Sequence, residues 1–176
     1  QQVSSAASDV YKRQHVIRMS GEKAIAIANQ CFQGKSLLDA PSHSAHYGYF
    51  VDRSNAEVIQ RIDEVLITVF RSPRSFTTED CVEISCHGSM VIAQKIINTL
   101  IQTGAVPAEA GEFTLRAFLY GRIDLTQAEA VADLIASKSE HDRTIALNQM
   151  RGGFRNQLKN LRSCLLYTSP SPRDTR

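Results

Sequence analysis

Four groups of residues have types and spacings that could carry chemistry. Glu83 is the sharpest, a carboxylate in the middle of Cys81–Cys86, a run that alternates like a strand and places it on the face shared with Cys81 and Ser85. A carboxylate there either lies on a solvated face or accepts paired N–H donors from a ligand in a pocket. Arg122 lies in the joint Arg122-Ile123-Asp124 between two helices. The first is stopped by Gly121, and the second is opened by Thr126 and Glu129 at capping-box spacing. A cation in so short a joint reads as a positioned charge, and the plainer alternative is a solvated surface arginine. Cys81, Cys86 and His87 invite a metal or nucleophile reading, but odd and even strand offsets face opposite ways, so the two sulfurs do not readily share a metal. Core cysteines with a loop histidine are expected, with no metal site and no catalytic residue. Gln33-Gly34-Lys35-Ser36 ends like a phosphate-binding loop, yet Asn29 stands where its first glycine belongs, and a helix precedes it where such a loop needs a strand.

The elements that must position these residues read as a mixture of strands and helices without a strict βαβ repeat, hence α+β. His15–Met19 is a short apolar strand carrying Arg18, and Ser20 is placed to cap a helix from Gly21 to about Phe32, with Ile25, Ala28 and Phe32 aligned. Ala45–Val51 and Val58–Phe70 form a hairpin around Asp52-Arg53-Ser54-Asn55, with regular pairing from near Asp63. Pro73 ends the hairpin. A helix from about Ser89 to Thr103 is closed by Gly104, and a short strand at Ala105–Ala108 leads to a helix with Phe113, Ala117 and Phe118 on one stripe. From Thr126 on the chain is mostly helical. Val131, Leu134 and Ile135, then Ile145, Met150, Phe154, Leu158 and Leu161, supply its apolar stripe, with a kink or break at Gly152-Gly153.

The two ends are set apart. Ser4–Gln14 and Cys164–Asp174 look like translated sequencing adapter: Asp-Val-Tyr-Lys-Arg-Gln can be encoded by GATGTGTATAAGAGACAG, whose reverse complement, read one base along, gives Cys-Leu-Leu-Tyr-Thr-Ser. Residues 1–14 and 164–176 are therefore expected to be adapter-derived and disordered, since they hold too few apolar groups to offset ordering. These ends contain Lys12, Arg13, Arg173 and Arg176 against Asp9 and Asp174, which accounts for the whole formal charge of +2. A neutral interior gives no electrostatic footprint for nucleic acid, so RNA contact would need a local patch or parts outside this chain. With 43% of the chain apolar, the remaining ~150 residues suffice for one domain and the beginning of another. No apolar run approaches the roughly 20 residues of a membrane helix. Cys31, Cys81 and Cys86, an odd number inside the ends, suit a reducing cytosol.

Several motifs in register carry a family resemblance: VIRMSG at Val16–Gly21, SPRSFTTEDCVEISCHGS at Ser72–Ser89, GEFTLRAFLYGRIDLTQAEAVADLI at Gly111–Ile135 and ALNQMRGGF at Ala146–Phe154. Together they resemble the tRNA-modifying GTPases known as MnmE or TrmE. The resemblance implies a folate-binding and dimerising α+β domain, similar to that of aminomethyltransferases, over 15–122 and the beginning of a helical domain over 123–163. It further implies that Arg18, Glu83 and Arg122, matched motif by motif, contact 5-formyltetrahydrofolate. The implied parent is a cytoplasmic homodimer that modifies the wobble uridine of certain tRNAs with an MnmG-like FAD-dependent flavoprotein and has no membrane segment. GTP, magnesium and potassium would belong to a GTPase domain outside this chain. Ala110, Tyr120 and Ser89 stand where the family usually has proline, asparagine and glycine, and the family's N-terminal strand and glycine-rich segment before Val16 are expected to be missing. Two other functions fit the same residues: a free-standing folate-dependent one-carbon transferase and a dimerisation module without a ligand.

Overall fold

The structure, a computed structural model, describes residues 2–5, 14–53, 59–137, 139–151, 161 and 163. In chain order its elements are β1 (Gln2–Ser5), β2 (Gln14–Ser20), α1 (Ala24–Gln30), β3 (Phe32–Gly34), β4 (Ser44–Asp52), β5 (Gln60–Phe70) and β6 (Cys81–His87). There follow α2 (Met90–Gln102), β7 (Val106–Pro107), α3 (Glu112–Leu119), α4 (Leu125–Ala136) and α5 (Glu140–Met150). They fall into two compact units, Gln1–Arg122 and Ile123–Arg176.

Strand alternation makes the sheet of the first unit two-faced. Val82, Ile84 and Cys86 of β6, Val65, Ile67 and Val69 of β5, and His15, Ile17 and Met19 of β2 are buried on one face. That face is covered by α1, through Ala24, Ile25, Ile27 and Ala28, and by α2, through Ala93, Ile96 and Leu100. The opposite face holds Val16, Arg18, Leu66, Glu83 and Ser85, all at least partly exposed. The seven strands run in the order β3-β4-β5-β6-β2-β1-β7, antiparallel except for the β1–β7 pair. Arg18 lies opposite Glu83 in the β2–β6 register.

Several expectations need correction. Gln2–Ser5 do not conform to the disorder expected of residues 1–14: they form β1, pairing with β2 on one side and β7 on the other, and so fill the place expected to lack a strand. Residues 6–13 and 164–176 lie outside the described residues. Phe32 does not end a helix but opens β3, and its ring lies over Gly34 and Gly48, which are register partners across β3 and β4. A Cβ built on Gly48 would stand 2.5 Å from that ring, so only glycine admits the aromatic cover here. Lys23, not Ser20, is the N-cap of α1, because the Ser20 hydroxyl bonds Thr77 and Glu79 instead.

The second unit pairs α4 with α5, burying Ala130 and Ala146. Its capping box is Asp124 with Gln127, two residues before the expected Thr126 and Glu129. The Asp124 carboxylate accepts from the Gln127 amide at 2.9 Å, and the Gln127 carbonyl accepts from the Asp124 amide at 3.0 Å. Thr126 donates to Asp124, supporting the cap. Ile135 is 82% exposed, so the stripe expected to be apolar and buried through it is displaced toward Ala130. The expected break at Gly152-Gly153, with Phe154 and Leu158, lies outside the described residues.

Candidate functional site

The open face of β2 and β6 ends beneath a loop and a helix. The loop, residues 71–80, folds on itself: the Asp80 carboxylate accepts from the Ser72 amide, Ser75 donates to the Glu79 carbonyl, and the Gly21 amide donates to the Asp80 carbonyl. Thr77 is fully buried and Ser75 nearly so, which fixes the backbone on either side of Phe76. Helix α3 ends in a Schellman motif: Gly121, at φ 72°, donates to Phe118, and Arg122 donates to Ala117. This cap fixes the backbone from which the Arg122 side chain departs.

Arg18, Glu83 and Arg122 are brought together here. Arg18 donates from Nε at 2.8 Å and from Nη2 at 2.5 Å, both to Oε1 of Glu83. The second carboxylate oxygen, Oε2, is thereby left to accept from another donor. The Arg18 guanidinium carbon lies 5.8 Å from the Phe76 ring centroid and 5.9 Å from that of Phe113. Arg122 approaches the same Phe76 ring at 5.8 Å. All three distances fall within cation–π range, and two guanidinium groups meet at the Phe76 ring. The pair is partly open to solvent, with side chains 39% and 26% exposed for Arg18 and Glu83. The chemistry on offer is a carboxylate acceptor beside two cationic donors and two aromatic walls. That combination suits a planar molecule with N–H donors on one edge and acidic or carbonyl oxygens elsewhere.

A second arginine–carboxylate pair adjoins the first. Glu79 accepts from Arg116 in the two-pronged manner, Nε to Oε2 and Nη2 to Oε1 at 2.9 Å each, and also from Ser20 at 3.1 Å and Tyr120 at 3.3 Å. Burial pushes the Glu79 carboxyl up, but the bonds from Arg116 and Ser20 and the Arg116 charge outweigh it and hold the group below its ordinary pKa. The bond to Glu79 in turn raises Arg116. Sequence reasoning placed Phe113 only on a helical stripe and assigned no site role to Phe76, Phe113, Glu79 or Arg116. Phe76 and Phe113 were within reach, since both stand in motifs shared with the family. Glu79 and Arg116 are joined only by folding.

The other candidates separate. Cys81 and Cys86 are both 2% exposed, and burial pushes their thiols up to about 12 and about 11, so the thiolate that a nucleophile or metal ligand requires is scarce at neutral pH. His87 instead engages Asp63, whose carboxylate meets Nδ1 at 2.7 Å and accepts from the His87 amide at 2.8 Å. Gln33 and Gly34 lie in β3 and pair with Tyr49 and Gly48, with no helix following Ser36, so this segment lacks the geometry of a phosphate-binding loop. No helix among the described residues is long and apolar enough to cross a membrane.

Comparison with known proteins gives the family. A family profile described as the N-terminus of the GTP-binding protein TrmE matches residues 3–122, and one described as the MnmE helical domain matches residues 125–169. The chain belongs to the MnmE/TrmE family. It carries that family's N-terminal domain, an α+β fold, followed by its helical domain. Among similar proteins are tRNA modification GTPases MnmE from Lactobacillus gasseri, 46% identical over 87% of this chain, and from Flavobacterium johnsoniae, 51% identical over 86%. The corresponding protein of Enterococcus faecalis is 46% identical over 87% of the chain. The chain spans about a third of these relatives, 32%, 32% and 33% of their lengths in turn.

Proposed function

We propose that this chain is the folate-binding and dimerising part of a tRNA modification GTPase of the MnmE type. The observation that carries the reading is that Arg18, held by Glu83, and Arg122 meet at the ring of Phe76, from motifs far apart in the chain. In this reading Glu83 Oε2 accepts from the donor edge of a pterin, and the two arginines meet carbonyl or carboxylate oxygens of 5-formyltetrahydrofolate. When bound, the folate supplies a one-carbon unit. The side chains of this chain bind and orient it. Glu83 has a double role, because it holds the Arg18 guanidinium before any ligand arrives. The parent acts on the wobble uridine of tRNA with an MnmG-like FAD-dependent flavoprotein, in the cytoplasm and as a homodimer. GTP, magnesium and potassium act in a further domain. The helical unit from Leu125 onward supports this over a free-standing one-carbon transferase, which has no need of it.

Titration of 5-formyltetrahydrofolate into the 176-residue chain by calorimetry tests the site. Glu83→Gln replaces an acceptor oxygen with a donor facing a donor and loosens Arg18, and is expected to weaken binding by about 2–4 kcal/mol, roughly 30- to 1,000-fold. Glu22→Gln, in the exposed turn before α1, is the control. Equal affinities for the two variants would remove Glu83 from the site, and no binding by the unaltered chain would remove the folate reading itself.

A further inference from the structure

Every bond that reaches the Glu79 carboxylate starts from an element that also carries, or directly adjoins, a group of the ligand site. Ser20 is two residues beyond Arg18 at the end of β2, Arg116 is one helical turn beyond Phe113 on α3, and Tyr120 leads to the cap that holds Arg122. Glu79 itself stands three residues beyond Phe76 in the 71–80 loop. We propose that the Glu79–Arg116 network is a positioning latch, which fixes the Phe76 loop against α3 and β2 and so sets where the Phe76 and Phe113 rings stand about the Arg18 guanidinium. The inference rests on the ligand-site reading above and concerns residues that do not themselves touch the ligand.

The geometry gives the latch its leverage. Arg18 sits 5.8 and 5.9 Å from the two ring centroids, close to the outer limit of about 6 Å for a cation–π contact, so a loop displacement of order 1 Å ends one contact or the other. A two-pronged guanidinium–carboxylate pair fixes direction as well as distance, which a single bond from lysine does not. Its side chains are only 23% and 16% exposed, less than those of the Arg18–Glu83 pair, so water competes weakly for it. Tyr120, where the family usually has asparagine, does not slacken the joint. It adds a bond to Glu79.

The test reads the rings directly. The 176-residue chain is labelled with 4-fluorophenylalanine, the Phe76 and Phe113 fluorine resonances are assigned through Phe76→Leu and Phe113→Leu, and each variant is titrated with 5-formyltetrahydrofolate. Glu79→Gln is expected to shift or broaden these two resonances while the remaining phenylalanines stay in place. It should also weaken folate binding roughly 3- to 10-fold, a range typical of coupling through a packed network. Arg116→Lys, which keeps the charge and loses the fork, should move the same resonances by less. If Glu79→Gln lowers only the melting temperature and leaves both resonances and the affinity unchanged, the network is structural support and the latch is overturned. Should Glu79→Gln fail to fold, Ser20→Ala and Tyr120→Phe each remove one bond: movement of the Phe76 resonance in either upholds the latch, and its constancy in both overturns it. Absence of folate binding by the unaltered chain overturns the ligand reading alone, because the ring resonances of the unliganded chain still decide the latch.

Discussion

The molecule contains two arginine–carboxylate pairs side by side, and they are built differently. Glu79 has both oxygens engaged, by Arg116, Ser20 and Tyr120, whereas Glu83 receives both bonds from Arg18 on a single oxygen. A carboxylate whose acceptor sites are filled from within the fold contributes to holding the fold. One that keeps an oxygen in reserve, beside exposed cationic and aromatic groups, has the capacity to recognise something else. Proximity and residue type do not distinguish the two; the count of satisfied lone pairs does.

The largest effect that separates the pairs is on stability. Arg116→Met leaves Glu79 mostly buried without its main partner and is expected to cost about 2–3 kcal/mol in urea unfolding. Arg18→Met, in the more exposed pair, should cost only about 0–1 kcal/mol. Equal losses would erase the distinction. Acid sharpens it further. The folded-state pKa of Glu79 lies below its ordinary value of 4.5, so its contribution is fully present above that value and is lost as the pH falls through the lower, folded value. Glu79→Gln should therefore lack part of the acid-side decline in stability seen in the unaltered chain, and superimposable declines from pH 5 downward would show that Glu79 is not responsible.

Smaller effects probe the outer members. Arg122→Ala should weaken 5-formyltetrahydrofolate binding by about 0–1 kcal/mol if Arg122 meets an exposed carboxylate, much less than Glu83→Gln, and calorimetry would reveal a reversed order. Tyr120→Phe is expected to lower stability by only a few tenths of a kcal/mol, since its bond to Glu79 is long at 3.3 Å and the side chain is exposed. A loss as large as that from Arg116→Met would mean that Tyr120, and not the guanidinium fork, dominates the network.

How far the sequence foretold this depended on range. Alternation in Cys81–Cys86 was enough to put Glu83 on one face with Ser85, and Gly121 was enough to end α3 ahead of Arg122, because both signals lie within a few residues. Local patterns misled where a short element or a distant partner intervened. Phe32 matched the spacing of α1, yet three residues of β3 leave no period to read. Ser20 has the chemistry of a helix cap, but Thr77 and Glu79, nearly sixty residues away, hold its hydroxyl. At the start of α4 two polar pairs share the same spacing, and Asp124 with Gln127 forms the box in place of Thr126 with Glu129. The Glu79–Arg116 pair spans 37 residues and two elements, so no window along the chain reveals it.

The two outermost strands of the sheet have a bearing on how the protein behaves when crowded. β3 has only three residues and is followed by Lys35, and β7 has two, of which Pro107 has no amide hydrogen to donate. Long, flat strand edges recruit strands from neighbouring molecules and seed insoluble fibres, and short edges ending in lysine or proline are a common defence. The stretches able to template such growth, Leu66–Val69 of β5 and Cys81–Ser85 of β6, are instead paired on both sides within the sheet. The ordering of the strands thus places these two stretches in the interior of the sheet, and sets at its two ends strands too short to extend.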